Sequence, residues 1–207
     1  MPDPLKRLVP DGPADAAAFD ETASADGNPR PYWTAFADTV GMLGTGALAG
    51  RRADLQAQIR RLGATYTIHA DPKGLERPWP LDLLPVIVPD GDWRILQAGL
   101  VQRAWLLNAL LDDLYGAQSL VETGLVPAAL LHSDPGFLRP CHGIRPPHGV
   151  WLHLYAADVV RRTDGGWCVL SDRAQAPSGA GYALVNRAAA GQVLGEATSR
   201  LQVRPIT

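Results

Sequence analysis

The stretch Gly91 to Tyr115 constrains the fold most. Ile95, Leu96, Leu100, Leu107, Leu110, Leu111 and Leu114 recur at helical spacing, and no proline interrupts them. Asp90 can accept hydrogen bonds from the first amides, and Gly116 stops the run. A long helix striped in this way needs an apolar surface to lie against. The stripe is therefore read as core; a membrane- or partner-binding stripe is the alternative and requires exposure.

Beyond this helix the pattern turns to that of strands. Val150 to Val160 alternates and Trp167 to Leu170 can pair with it, with Asp164-Gly165-Gly166 as the turn between them. An antiparallel hairpin beneath the long helix is the expected product. Upstream, Leu48, Leu55, Ile59 and Leu62 mark a helix over Gly46 to Leu62, stopped by Gly63. Ala64 to Ala70 reads as a strand. Asp71 to Pro89 carries five prolines and reads as an extended connection, with Leu81, Leu83, Leu84, Val86 and Ile87 turned inward. Gln118 to Glu122 is a short helix, Leu131 to His148 a loop, and Gly179 to Val193 a helix opened by Pro177-Ser178. The fold class is α/β in the broad sense (α+β): helices with a mixed or antiparallel sheet. Residues 1–30 are rich in Asp, Ala, Gly and Pro without a period and read as a disordered leader. Order begins at Pro31-Tyr32-Trp33, and 195–207 reads as an irregular tail.

Composition narrows the function classes. Hydrophobic residues make up 46% and charged residues 19%, as in a soluble globular domain, and the net charge is −2. The basic pairs are not patches, so nucleic acid and anionic membrane are excluded as partners. No apolar run is long enough to span a bilayer. Two cysteines give neither a disulfide scaffold nor zinc spacing, and with no signal peptide a cytoplasmic location is expected. Cys141-His142 are neighbours in the chain, which does not aim one at the other, so Cys141 reads as an inert packed thiol. His142, His148 and His153 fit no zinc pattern. Arg145, ahead of two prolines, puts a guanidinium on a stiff loop suited to carboxylate or phosphate. Ser178-Gly179 at a helix start suits an anion, or serves only as a cap.

Several motifs occur in order. They are Asp71 to Pro85, Asp134-Pro135-Gly136-Phe137-Leu138-Arg139, and Gly143-Ile144-Arg145-Pro146-Pro147. A strand with Asp158, an Asp-Gly turn, a strand ending at Leu170, and Ala176-Pro177-Ser178-Gly179 opening a helix with Asn186-Arg187 follow. From about Tyr32 to Arg187 the chain resembles the N-terminal part of a circularly permuted ATP-grasp (type 2) protein. That family is related to glutathione- and glutathionylspermidine-synthetase-type ligases. The resemblance implies ATP and Mg²⁺ as cofactors of the complete protein. It implies a small-molecule or peptide substrate, a carboxylate activated as acyl phosphate, and attack by an amine or thiol. It places 31–194 in an N-terminal portion of the domain, a fragment whose other lobe would follow. Gly195 to Thr207 looks unlike the family, and Val185 stands where a Glu precedes the Asn-Arg pair.

The family supplies metal ligands as an Asp on the first hairpin strand and a Glu and an Asn, two apart, on the second. Asp158 matches the Asp and is the expected metal ligand. Ser171 stands for the Glu and Arg173 for the Asn, and an arginine has no lone pair to offer a metal. Either Asp158 and Asp172 hold the ion, or Arg173 brings positive charge to the phosphates itself. Asp158, Asp172 and Arg173 are thus the candidate catalytic residues. Arg145, Ser178, Gly179, Asn186 and Arg187 are the candidates for substrate or phosphate. The functional alternatives are a lobe of an ATP-dependent ligase, not active as the isolated chain, or else a non-catalytic binding or assembly module, with a partner protein, or a truncated product, in either case with a degenerate metal site.

Overall fold

A computed structural model describes residues 18–41, 45–67 and 76–206. In chain order the elements are α1 (Pro31–Gly41), α2 (Thr45–Arg61), β1 (Thr65–Thr67), β2 (Glu76–Pro78) and α3 (Asp90–Tyr115). There follow α4 (Ser119–Glu122), α5 (Ala128–Ser133), β3 (Ala156–Arg161), β4 (Trp167–Arg173), α6 (Ala180–Val193) and α7 (Gly195–Arg200). Both sheets are two-stranded and antiparallel, β1 with β2 and β3 with β4. The fold is α+β, as expected. The chain divides into two compact units. The first takes the described residues of Met1–Pro89, Arg162–Gly165 and Ser178–Thr207; the second takes Asp90–Arg161 and Gly166–Pro177.

The first unit owns the hydrophobic core. Trp33, Phe36, Ala37 and Val40 recur at three, four and seven residues, so one face of α1 is apolar and buried. Trp33 meets Phe36 edge-on, with ring centroids 5.3 Å apart. Leu55 and Ile59 of α2, Ala189 and Val193 of α6, and Ala197 of α7 complete the cluster. An Arg51 guanidinium donates to the Val193 carbonyl and ties α2 to α6. β1 is seen only at Thr65–Thr67; the remainder of the expected strand and the Asp71-to-Leu75 part of the first motif lie outside the described residues. Along the proline-rich connection Leu83 is buried and Leu81, Leu84 and Ile87 pack on the core. Val86 departs from expectation and is exposed. Neighbours in extended chain point opposite ways, and Ile87 takes the inward position.

Both ends of this unit hold more structure than their composition suggests. Within the expected leader, Asp20 Oδ1 accepts from the amides of Thr22 at 2.7 Å and Ala23 at 3.2 Å. Arg30 Nε donates to the Asp20 carbonyl at 2.8 Å, and its guanidinium stacks on Phe19. The stretch expected to be an irregular tail opens with α7, because Ala197 is drawn into the core against α1.

The second unit is built on α3. Its acidic first turn suits the positive end of the helix, and Arg94 pairs with Asp90 at 3.0 Å. At the other end a Cβ on Gly116 would sit 2.6 Å from the Asp112 carbonyl oxygen, so glycine is required there. Asp113 then caps α4, accepting from the amides of Ser119 at 2.9 Å and Leu120 at 3.0 Å. Tyr115 is the organising aromatic: its ring stacks between Phe137 and Trp151, each at 5.0 Å, and its hydroxyl accepts from the Leu138 amide at 3.1 Å. The region expected to be loop, Leu131 to His148, takes in the end of α5 and two short 3₁₀ turns, Arg139–Cys141 and, running one residue past it, Pro147–Gly149. The α3 stripe is core only in part. Leu96 is buried and Leu100, Leu107, Leu110, Leu111 and Leu114 are half-buried, whereas Ile95, one step round the helix from Leu96, is exposed.

Candidate functional site

The β3–β4 hairpin carries the expected acids. It begins at Ala156 rather than Val150, because α3 claims the preceding amides. Asn108 Oδ1 accepts from Trp151 N at 2.8 Å and Leu152 N at 3.1 Å, and Asp112 accepts from Trp151 Nε1 at 2.9 Å. Held there, residues 150–152 cannot enter the ladder. The second strand runs on to Arg173, past the expected Leu170. Two ion pairs fasten the hairpin to α3. One joins Arg161 to Asp92 at 2.6 Å, with the guanidinium almost wholly buried and stacked 4.3 Å over Trp167. The other joins Arg103 to Asp172.

Register decides which side chains meet. Asp158 lies opposite Ser171, Ala157 opposite Asp172, and Ala156 opposite Arg173. Alternation therefore puts Asp158, Ser171 and Arg173 on one face and Asp172 on the other. On the first face three donors converge on Asp158 Oδ2: Ser171 Oγ at 2.6 Å, Arg173 Nη2 at 2.7 Å and Arg173 Nε at 3.0 Å. The Arg173 guanidinium, and after it the Ser171 hydroxyl, hold the Asp158 carboxyl below the usual carboxylate range. On the second face Arg103 grips Asp172 with both Nε and Nη2, and the Tyr155 hydroxyl donates to it at 2.6 Å. Arg103 first, and Tyr155 next, lower the Asp172 carboxyl likewise. Burial, followed by the bond to Asp172, pushes the Tyr155 phenol upward.

Asp158 and Arg173 thus come together; Asp172 does not join them, which corrects the expectation that two acids converge on one ion. Arg145 is exposed in the loop between the two 3₁₀ turns and bonds to neither acid. Ser178, Gly179, Asn186 and Arg187 belong to the other unit. There α6 starts one residue later than expected. Gly179, at φ +113°, is its N-cap, and among the described residues no side chain is bonded to the first amides, the Ser178 hydroxyl included. Asn186 Oδ1 is buried with no hydrogen-bond partner among the described residues, while Arg187 is exposed. Cys141 is half-buried and Cys168 exposed, both as free thiols. Arg103, Tyr155 and Asn108 were not foreseen. Arg103 did carry a signal: it is a charge set inside the apolar stripe, between Leu100 and Leu107.

The profile of the circularly permuted ATP-grasp type 2 family matches residues 85–207, more than half of the chain. The chain belongs to this family. The match runs through Gly195 to Thr207, so the stretch that looked unlike the family is part of it. An uncharacterised protein of Synechocystis sp. is 38% identical over 188 residues, covering 91% of this chain and 39% of its own length. An uncharacterised protein of Mycobacterium tuberculosis is 40% identical over 205 residues, 95% of this chain and 23% of its own. A Frankia alni protein provisionally named glutamate–cysteine ligase 2-3 is 38% identical over 182 residues, 87% of this chain and 21% of its own. The chain therefore spans about two fifths or less of the length of these relatives.

ATP-grasp proteins generally use ATP and Mg²⁺, so the hairpin is judged against a magnesium ion. Magnesium asks for octahedral oxygen ligands. Asp158 offers an oxygen already shared by a hydroxyl and a guanidinium, and Arg173 sets a positive charge where a second ligand would be needed. Asp172, the other carboxylate, faces away and is clamped by Arg103. Among the described residues no group of three His, Cys, Asp or Glu is placed to hold a metal. With Arg173 bonded to Asp158 and Asp172 on the opposite face, the described hairpin residues do not fit the ion.

Proposed function

We propose that this chain is a binding and assembly lobe of an ATP-dependent ligase-type protein, without a divalent-cation site of its own. The reaction of the complete protein is ligation of a carboxylate to an amine or thiol, on a small-molecule or peptide substrate. The observation that carries this reading is the engagement of Asp158 by Arg173 and Ser171, which sets a positive charge against the one carboxylate matching the family's metal-ligand position. The ion pair sets opposite charges against each other where a metal would need ligands. Phosphate would find its donors elsewhere in the complete protein. Away from the hairpin, the first-turn amides of α6 with Ser178, Asn186 and Arg187 are groups of suitable chemistry in one unit, and Arg145 is a separate such group in the other. Titration calorimetry of the chain with ATP, with and without magnesium, tests the proposal. Binding no tighter than about millimolar and indifferent to magnesium is expected. Micromolar binding that requires magnesium would overturn it.

A catalytic reading is favoured by a different observation, the match of 87% of this chain to the Frankia alni protein with a ligase name. On that reading Arg173 leaves Asp158 during turnover and neutralises phosphate itself. In a full-length relative carrying this hairpin, Arg173→Ala would then lower ATP-dependent turnover by at least about tenfold, the equivalent of ~1.4 kcal/mol. On the binding-lobe reading the same variant leaves turnover unchanged.

A further inference from the structure

Helix α3 is apolar on two sides, and its own unit covers only one. Leu96, Leu100, Leu107, Leu111 and Leu114 form the packed side, half-buried or buried. Ile95, Ala98, Val101, Trp105, Leu106 and Ala109 follow at intervals that keep them within roughly 140° of each other around the opposite side, at about 100° per residue. All six are exposed, with Ile95 and Trp105 each at 72% and Leu106 at 60%. An exposed Trp among aliphatic residues on one helix face is the composition of an interface centre rather than of a solvated face. The sector also holds Gln102, with Arg94, Asp112 and Asp113 toward the helix ends. No helix among the described residues is long and apolar enough to cross a membrane.

The relatives indicate what covers this face. Each matches nearly all of this chain, yet the Synechocystis protein carries 61% of its length, and the Mycobacterium tuberculosis protein 77%, outside the matched part. We infer that the outer face of α3, centred on Trp105 and Leu106, is the docking surface for the portion of the ATP-grasp protein that these longer relatives carry outside the match. The inference builds on the assembly reading above, but it concerns protein association and is independent of nucleotide.

The test mixes the full chain with that portion of the Synechocystis relative, and separately with that of the Mycobacterium tuberculosis relative. Complex formation is followed by sedimentation velocity, calorimetry and tryptophan emission. A one-to-one complex with at least one of them is expected, at about 10 µM or tighter, with a blue shift from burial of Trp105. Ile95→Asp and Leu106→Asp replace exposed side chains, so the fold should persist by circular dichroism, and each should weaken the complex by at least about tenfold. Leu184→Asp, at an exposed position on α6, should leave it unchanged. Absence of a complex with both portions, or a complex indifferent to Ile95→Asp and Leu106→Asp, overturns the inference. So does self-association of the chain that those two variants abolish, because the occupant is then a second copy. Failure here with magnesium-independent, weak ATP binding intact would leave the functional proposal standing.

Discussion

Asp158 shows how the side chains facing a carboxylate decide what it can bind. A glutamate at 171 and an asparagine at 173 would each bring oxygen to the face that Asp158 occupies; serine and arginine bring hydrogen-bond donors instead, and three of these share one carboxylate oxygen. The consequence is measurable in acid. Arg173 and Ser171 depress the folded-state pKa of Asp158, so the unfolded chain takes up its proton at a higher pH than the native one. The pair's contribution to stability is therefore complete above the ordinary carboxylate range, near pH 4, and is lost as the pH falls through the depressed folded value. Arg173→Ala removes the largest cause. The Asp158 carboxyl midpoint, read by carbon-detected NMR titration, should then move up toward the ordinary value, and Asp172, held on the opposite face by Arg103, should not follow. A midpoint unmoved in Arg173→Ala would refute the assignment of Arg173 as the controlling charge. The pairing of Asp158 with Arg173 was legible in the sequence, because strands joined by an Asp-Gly turn align residues about equidistant from it. The isolation of Asp172 was legible too, from alternation alone. Its partners were not, since nothing local says that Arg103, some seventy positions earlier, would reach it.

At the scale of elements, α3 organises its unit through polar side chains as much as through its apolar stripe. Asn108 accepts from two successive amides, Trp151 and Leu152, and donates to the Gly149 carbonyl at 3.0 Å. Those contacts decide where β3 starts, and they explain why a strand expected from Val150 begins only at Ala156. Asn108→Ala would leave both partly buried amides without an acceptor, at a cost of about 1–3 kcal/mol. In urea denaturation followed by tryptophan emission the midpoint should fall accordingly, and amide exchange at Trp151 and Leu152 should accelerate. Unchanged exchange at these two positions would show that Asn108 does not hold the segment. Helix α1 marks the opposite case. Trp33, Phe36, Ala37 and Val40 carry a clear helical period, legible from spacing though composition alone marks only the onset of order there. Helix α7 was hidden for another reason: six residues hold too little periodicity to be seen, and its existence depends on Ala197 finding the core that α1 provides.

Across the whole molecule, apolar burial is divided unequally, and stability should be divided in the same way. The first unit has one continuous cluster, from Trp33 and Phe36 to Val193 and Ala197, with Phe36, Leu55, Ile59 and Val40 fully enclosed. The second unit has only Leu96 and Leu131 buried among its described apolar side chains, and leans on hydrogen bonds, ion pairs and the Tyr115 aromatic stack. Local opening is cheapest where few apolar contacts must be broken and much of the surrounding surface already faces water. Native-state hydrogen exchange should therefore separate the two. Amides in the middle of α2 and α6 should exchange only through global unfolding, with the denaturant dependence that full exposure entails. Amides in the middle of α3, despite its 26 residues, should exchange through a smaller opening that depends weakly on denaturant. The prediction couples to the docking surface. A partner seated on Trp105 and Leu106 binds the closed form of α3 alone, so its addition should raise α3 protection in proportion to its occupancy while leaving α2 unchanged. Protection of α3 equal to that of α2 in the isolated chain would mean that its outer face is not the weak side of the fold, and that no missing surface is needed to complete it.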